Sequence, residues 1–144
     1  MEYEIYYCLL VKIGNGKKIV NYLSSKLNDK KVESEIFKTD ETNPCKLPEA
    51  DLYVFSSPTE AFNIQKNMRK FLKNLEGMNE KKYGIINTHG MKRNLLFKME
   101  KLLSKKNMTK VASVDFQIGE GSQTGEGLMD GWESMVDEFV GQLL

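Results

Sequence analysis

Residues 9–23 read LLVKIGNGKKIVNYL. An apolar run, Leu9-Leu10-Val11, gives way at Lys12 to a turn punctuated by Gly14-Asn15-Gly16. Lys17-Lys18 then opens a stretch that puts Ile19, Val20, Leu23 and Leu27 on one helical face. The pattern is a buried strand, a tight turn and an amphipathic helix. Such a turn aims consecutive backbone N–H groups at a point in front of a helix N-terminus, a natural seat for a phosphate. Val11, Ile13 and Gly16 stand where hydroxyls would donate to that phosphate, and none of them carries one. The stretch therefore offers a backbone cradle without its side-chain donors.

Working outward, the first strand spans 3–11 and its helix 16–28. Further strands are expected at 32–39 (VESEIFKT), 51–56 (DLYVFS), 82–88 (KYGIINT) and 110–118 (KVASVDFQI). Helices are expected at 63–76, 92–106 and 131–143, the last with Trp132, Met135, Val136, Phe139, Val140 and Leu143 at helical spacing. The connection at 41–50 (ETNPCKLPEA) holds two prolines and has no room for a long helix. Strands alternating with helices imply a mostly parallel sheet covered on both faces. The expectation is one doubly wound α/β domain over residues 1–144: three layers, five strands, and a short or missing second helix. Ligands of such folds bind beyond the carboxyl ends of the strands. Those ends lie at 11–16, 39–41, 56–63, 87–92 and 118–127.

The chain has 144 residues and a net charge of +1. No apolar run approaches the ~20 residues of a membrane span, and the start of the chain, with Glu2 and Glu4, lacks the basic region of a signal peptide. Cys8 and Cys45 have no metal-ligand spacing, and no metal site is expected. These features suggest a soluble, cytoplasmic protein, with neither nucleic acid nor membrane as its partner. The net charge conceals an asymmetry. Residues 1–110 carry +8 and residues 111–144 carry −7, while 66–110 alone carry +10. Two solvated faces of opposite sign would explain this, as would a molecular dipole that orients a docking partner.

Several doubly wound families can be tested by residue. A dinucleotide-binding turn wants a third glycine where Ile19 stands, although Asp40 could serve as its ribose acid. A phosphate-accepting receiver domain needs acids after its first and third strands, where this chain has Val11-Lys12 and Ser56-Ser57. A small cysteine phosphatase needs a thiolate in the phosphate loop, whereas Cys8 lies mid-strand. No Gly-x-Ser-x-Gly elbow occurs. What remains resembles the flavodoxin-like family, over essentially the whole chain. Val11-Lys12-Ile13-Gly14-Asn15-Gly16 is similar to its Thr/Ser-x-Thr-Gly-Asn-Thr phosphate loop. Ser56-Ser57-Pro58-Thr59-Glu60-Ala61-Phe62-Asn63 is similar to the turn after its third strand. Asn87-Thr88-His89-Gly90 is similar to its second flavin-facing loop, and Gly131-Trp132-Glu133 with Phe139 to the last helix of small anaerobe-type members.

The resemblance implies strand order 2-1-3-4-5, non-covalent binding of FMN, and one-electron transfer with a redox protein partner. It implies an electron carrier, more than a stand-alone enzyme, and a monomer with no catalytic residues of its own. Phosphate would lie on Lys12, Ile13, Gly14, Asn15, Gly16 and Lys17. Pro58, Thr59, Glu60, Phe62 and Asn63 would line one side of the ring, and Thr88, His89 and Gly90 the other. Phe62 could stack on the flavin or serve as a core residue or staple. Glu60 beside a flavin would disfavour its reduced anion. His89 is the only histidine, with no paired acid visible in the sequence. The glycine-rich stretch 119–131 is expected to be the rim of the ligand site or a connection. Each missing charge-assisted hydrogen bond is worth ~1.5–3 kcal/mol, so the phosphate loop should bind about 10²–10⁴-fold more weakly. The alternative is a flavodoxin-like chain with weakened or lost FMN binding that serves as a protein-interaction module or takes another phosphate-bearing ligand. The strand order also predicts that the acidic last helix and the basic 66–110 helices lie on opposite faces.

Overall fold

The computed structural model describes residues 5–12, 17–60, 63–90, 95–118, 128 and 130–144, with Lys17 and Glu60 described by backbone alone. Its strands are β1 (Tyr7–Lys12), β2 (Glu33–Lys38), β3 (Leu52–Glu60), β4 (Asn63–Ile64), β5 (Lys82–His89) and β6 (Thr109–Gln117). The helices are α1 (Lys17–Asp29), α2 (Lys66–Lys73), α3 (Leu96–Ser104) and α4 (Trp132–Leu143). β2, β1, β3, β5 and β6 run side by side in that order, every pair parallel, and the two-residue β4 hangs on β3. This is the expected order 2-1-3-4-5 once β4 is set aside.

The strands alternate sides, so each supplies two cores. Leu9, Val11, Tyr53, Phe55, Tyr83 and Ile85 meet Met68, Phe71 and Leu72 of α2 and Met99 and Leu103 of α3. Cys8, Leu10, Leu52, Val54 and Ile86 meet Ile19, Val20, Leu23 and Leu27 of α1 and Val136, Phe139, Val140 and Leu143 of α4. The helical spacing read from the sequence is thus the spacing of the buried stripes. The Tyr22 and Trp132 rings meet edge to face at 5.3 Å, joining α1 to α4. Acidic α4 and the basic helices α2 and α3 therefore lie on opposite faces.

Two differences from the sequence reading bear on the site. The third strand does not turn at Ser56. It runs on to Glu60, and its end folds back so that Thr59 pairs with Ile64 and Glu60 with Asn63, antiparallel. Asn63 therefore sits in a strand instead of opening a helix. The helix begins at Lys66, where the Gln65 side chain accepts from the N–H groups of Asn67 and Met68. Pro58, which has no N–H to give, stands beyond the pairing of Lys12 with Ser56, the last described with β1, and its carbonyl accepts from the Gln65 N–H at 3.1 Å. The connection from β2 to β3 holds only two single-turn 3-10 helices, Thr39–Glu41 and Pro44–Lys46, as its two prolines predict. It leaves a cavity of about 490 Å³ against α2, lined by Thr39, Pro44, Cys45, Lys70 and Phe71 among others.

Candidate functional site at the carboxyl edge of the sheet

Burying a polar side chain costs about 1–3 kcal/mol unless it finds partners, so its position carries information. Among the described residues the buried polar or charged side chains are Lys12, Thr39, Ser56, Ser57, Asn87 and His89. Lys12, Asn87 and His89 stand near the ends of β1 and β5, Thr39 directly after β2, and Ser56 and Ser57 on β3 from the level of Lys12 onward. Nothing comparable occurs at the opposite edge among the described residues.

Asn87 organises this edge. Its side chain is fully buried. Nδ2 donates to the Ser57 carbonyl at 3.0 Å and lies 3.0 Å from the Thr59 hydroxyl. Oδ1 accepts from the Leu95 backbone N–H at 3.0 Å. One amide thus ties the end of β3 to Leu95, the residue that precedes α3. The sequence alone assigns Asn87 no role beyond its place in Asn87-Thr88-His89-Gly90. The available signal was one amide ending the apolar run Tyr83–Ile86.

His89 lies two residues further along β5. Its Nε2 is 2.8 Å from Asp115 Oδ2 on β6. The sequence reading, which saw no paired acid for this histidine, is corrected here. Parallel pairing sets Asn87 beside Asp115 and His89 beside Gln117, so the contact is diagonal. His89 is buried, whereas Asp115 is partly exposed. The His89 carbonyl also accepts from the Ile118 N–H at 2.8 Å.

The other proposed site residues fall as follows. Lys12 closes β1, is 5% exposed, and is level with Ser56 on β3. Pro58 and Thr59 are in β3 and partly buried, and Pro58 pairs with Thr88 of β5. Asn63 Oδ1 accepts from the Ile64 N–H at 2.8 Å and from Lys98 Nζ at 3.3 Å. Gly90 is exposed, with open space where a Cβ would project. Pro58, Thr59, Asn63, Thr88, His89 and Gly90 thus gather at the ends of neighbouring strands, with Lys12 one strand over. Ile13, Gly14, Asn15, Gly16 and Phe62 lie outside the described residues, as do the side chains of Lys17 and Glu60 and most of the 119–131 stretch. Among the described residues, no cluster of three His, Cys, Asp or Glu could hold a metal ion.

No protein-family model matches the sequence, and no curated protein does. Solved structures do. A flavodoxin from Streptococcus pneumonia TIGR4 superposes with a TM-score of 0.72 at 16% identity, covering 95% of this chain and 97% of its own.

The chain has a flavodoxin-like fold.

A short-chain flavodoxin associated with a non-canonical PDU bacterial microcompartment also shares this flavodoxin-like fold, at TM-score 0.72 and 13% identity, with 96% and 97% covered. Rubredoxin oxygen:oxidoreductase from Desulfovibrio gigas contains it as part of a longer chain, at TM-score 0.70 and 13% identity, with 96% of this chain matching 36% of that one. Identities this low establish the flavodoxin-like architecture and leave the ligand to be argued from residues. No helix among the described residues is long and apolar enough to cross a membrane.

Proposed function

We propose that the chain binds FMN at the carboxyl edge of the sheet and passes single electrons between redox proteins. The observation that carries the reading is the concentration of the buried polar side chains at that edge, with Asn87 tying the end of β3 to the residue before α3. The donor set fits the group: a lysine at the root of the phosphate turn, and hydroxyl and amide groups on both loops, at Thr59, Asn63 and Thr88. Lys12, Gly14, Asn15 and Lys17 would hold the phosphate. Pro58, Thr59 and Asn63 would flank one side of the ring, and Thr88, His89 and Gly90 the other. FMN supplies the redox chemistry when bound; the chain binds it, orients it and excludes water. Two free cysteines suit a reducing compartment, and we place the chain in the cytoplasm as a monomer.

The second reading, a cofactor-free interaction module or a receptor for another phosphate-bearing ligand, draws on one observation. Val11, Ile13 and Gly16 remove the hydroxyls of the phosphate turn, at about 3–6 kcal/mol for two or three charge-assisted bonds. Titrating FMN into the purified chain, read by flavin fluorescence and visible absorption, separates the two. Saturable quenching with a perturbed flavin spectrum is expected. No binding at high micromolar FMN would overturn the carrier reading. Ile13→Thr with Gly16→Thr should tighten binding markedly, and no change would displace the phosphate from this turn.

A further inference from the structure

Residues 66–110 carry +10; α2 alone holds Lys66, Arg69, Lys70 and Lys73 with no acid, and the fold places it beside α3 on one face of the sheet. Lys66, Lys70 and Lys73 of α2, Lys101 of α3 and Lys105 just beyond it are exposed, and none is in an ion pair among the described residues. Within this cationic field the Phe97 ring of α3 is 55% exposed. An aromatic side chain in water is an unused source of binding energy, and aromatic anchors ringed by charge mark protein interfaces.

The position of this face relates it to the site. α2 starts directly after β4, at the carboxyl end of β3, and the Leu95 N–H that precedes α3 is held by Asn87. The first turns of both helices, Lys66 and Phe97 included, therefore border the candidate site. The opposite face presents Glu133 and Glu138, exposed on α4. That face also carries α1 with its exposed Lys18, so it is of mixed charge; an acidic body is attracted to the α2–α3 face and repelled only by α4, which biases its orientation before contact.

We propose that the α2–α3 face docks an acidic protein, with Phe97 as its apolar anchor. That this partner exchanges electrons with the chain rests on the function proposed above; the docking does not. The test uses the ¹⁵N-labelled chain without added flavin and a small acidic iron–sulfur ferredoxin as probe. Amide shifts confined to α2 and α3 are expected. Raising salt from about 20 to about 200 mM should weaken binding about tenfold, because the screening length falls roughly threefold. The triple reversal K70E/K73E/K101E should abolish binding. Phe97→Ala should weaken it about tenfold while keeping its salt dependence. No binding at low salt, shifts on α4 or on both faces, or unchanged binding by the reversal variant would overturn the proposal. So would tighter binding of an oligouridylate at the same amides, which would make the face a nucleic-acid surface. Failure of the FMN titration would leave these results standing, and the reverse also holds.

Discussion

His89 Nε2 lies 2.8 Å from Asp115 Oδ2, an imidazole on β5 meeting a carboxylate on β6. An ionised carboxylate only accepts, so Nε2 must carry a proton in this contact. Long-range ¹H–¹⁵N correlation spectra at neutral pH should show Nε2 protonated. The Asp115→Ala variant should release that preference. Because Asp115 is partly exposed, its loss should cost only about 1 kcal/mol. An Nδ1–H tautomer in the unaltered chain would contradict the pairing.

Asn87→Ala strands the Leu95 N–H and the Ser57 carbonyl, both of which the amide now satisfies. Destabilisation by about 2–3 kcal/mol is expected in urea unfolding. Asn87→Asp should not rescue it, since a second acceptor would face the Ser57 carbonyl. A loss below about 0.5 kcal/mol would show that water replaces the amide without penalty.

Gly84 marks where α4 presses on the sheet. A Cβ there would lie 2.8 Å from Leu143 Cδ2 and 3.0 Å from Phe139 Cζ. Both are buried tips with little room to yield. Gly84→Ala should therefore cost about 1–3 kcal/mol. Thermal unfolding should report it, and pairing the change with Leu143→Ala should relieve the clash. An equally stable single variant would mean that α4 shifts freely.

Burial pushes the Cys8 thiol up to about 12 from an ordinary value of 9.0. The unfolded chain then loses this proton near pH 9 while the folded chain keeps it, so stability falls as pH rises from 9 towards 12. The expected slope is about 1.4 kcal/mol per pH unit. Tyr83, raised by burial to about 12 from 10.0, adds a slope whose onset is centred one unit higher, as do Tyr7 and Tyr53, which burial also raises. Between pH 9 and 10 the difference in urea unfolding between the unaltered chain and Cys8→Ala isolates the thiol's share, and the variant's curve should be flatter there. An unchanged slope would assign the loss to other groups.

The alternation of strand and helix was legible because each buried stripe repeats within a few residues: Leu9 and Val11 against Cys8 and Leu10, or Val136, Phe139, Val140 and Leu143. That acidic α4 lies opposite basic α2 and α3 followed from strand order together with the charges of those helices. The pairing of His89 with Asp115 was not legible, since it depends on the register between two strands 26 residues apart. Asn87 is similar, with partners at Ser57 and Leu95 that only the folded edge brings together. Pro58 reads as a turn, but the strand continues through it beyond the last described pair with β1.

The shortened connection after β2 has a kinetic meaning. β2 is bonded to β1 on one side only, and four of its six residues are exposed. Two single 3-10 turns follow it where an α-helix would have added a packed stripe. Little apolar surface therefore resists its detachment, and opening free energies follow such surface. In native-state hydrogen exchange, the β2 amides should trade their protons while β3 and β5, enclosed on both sides, still hold theirs. The molecule comes apart from this margin inward.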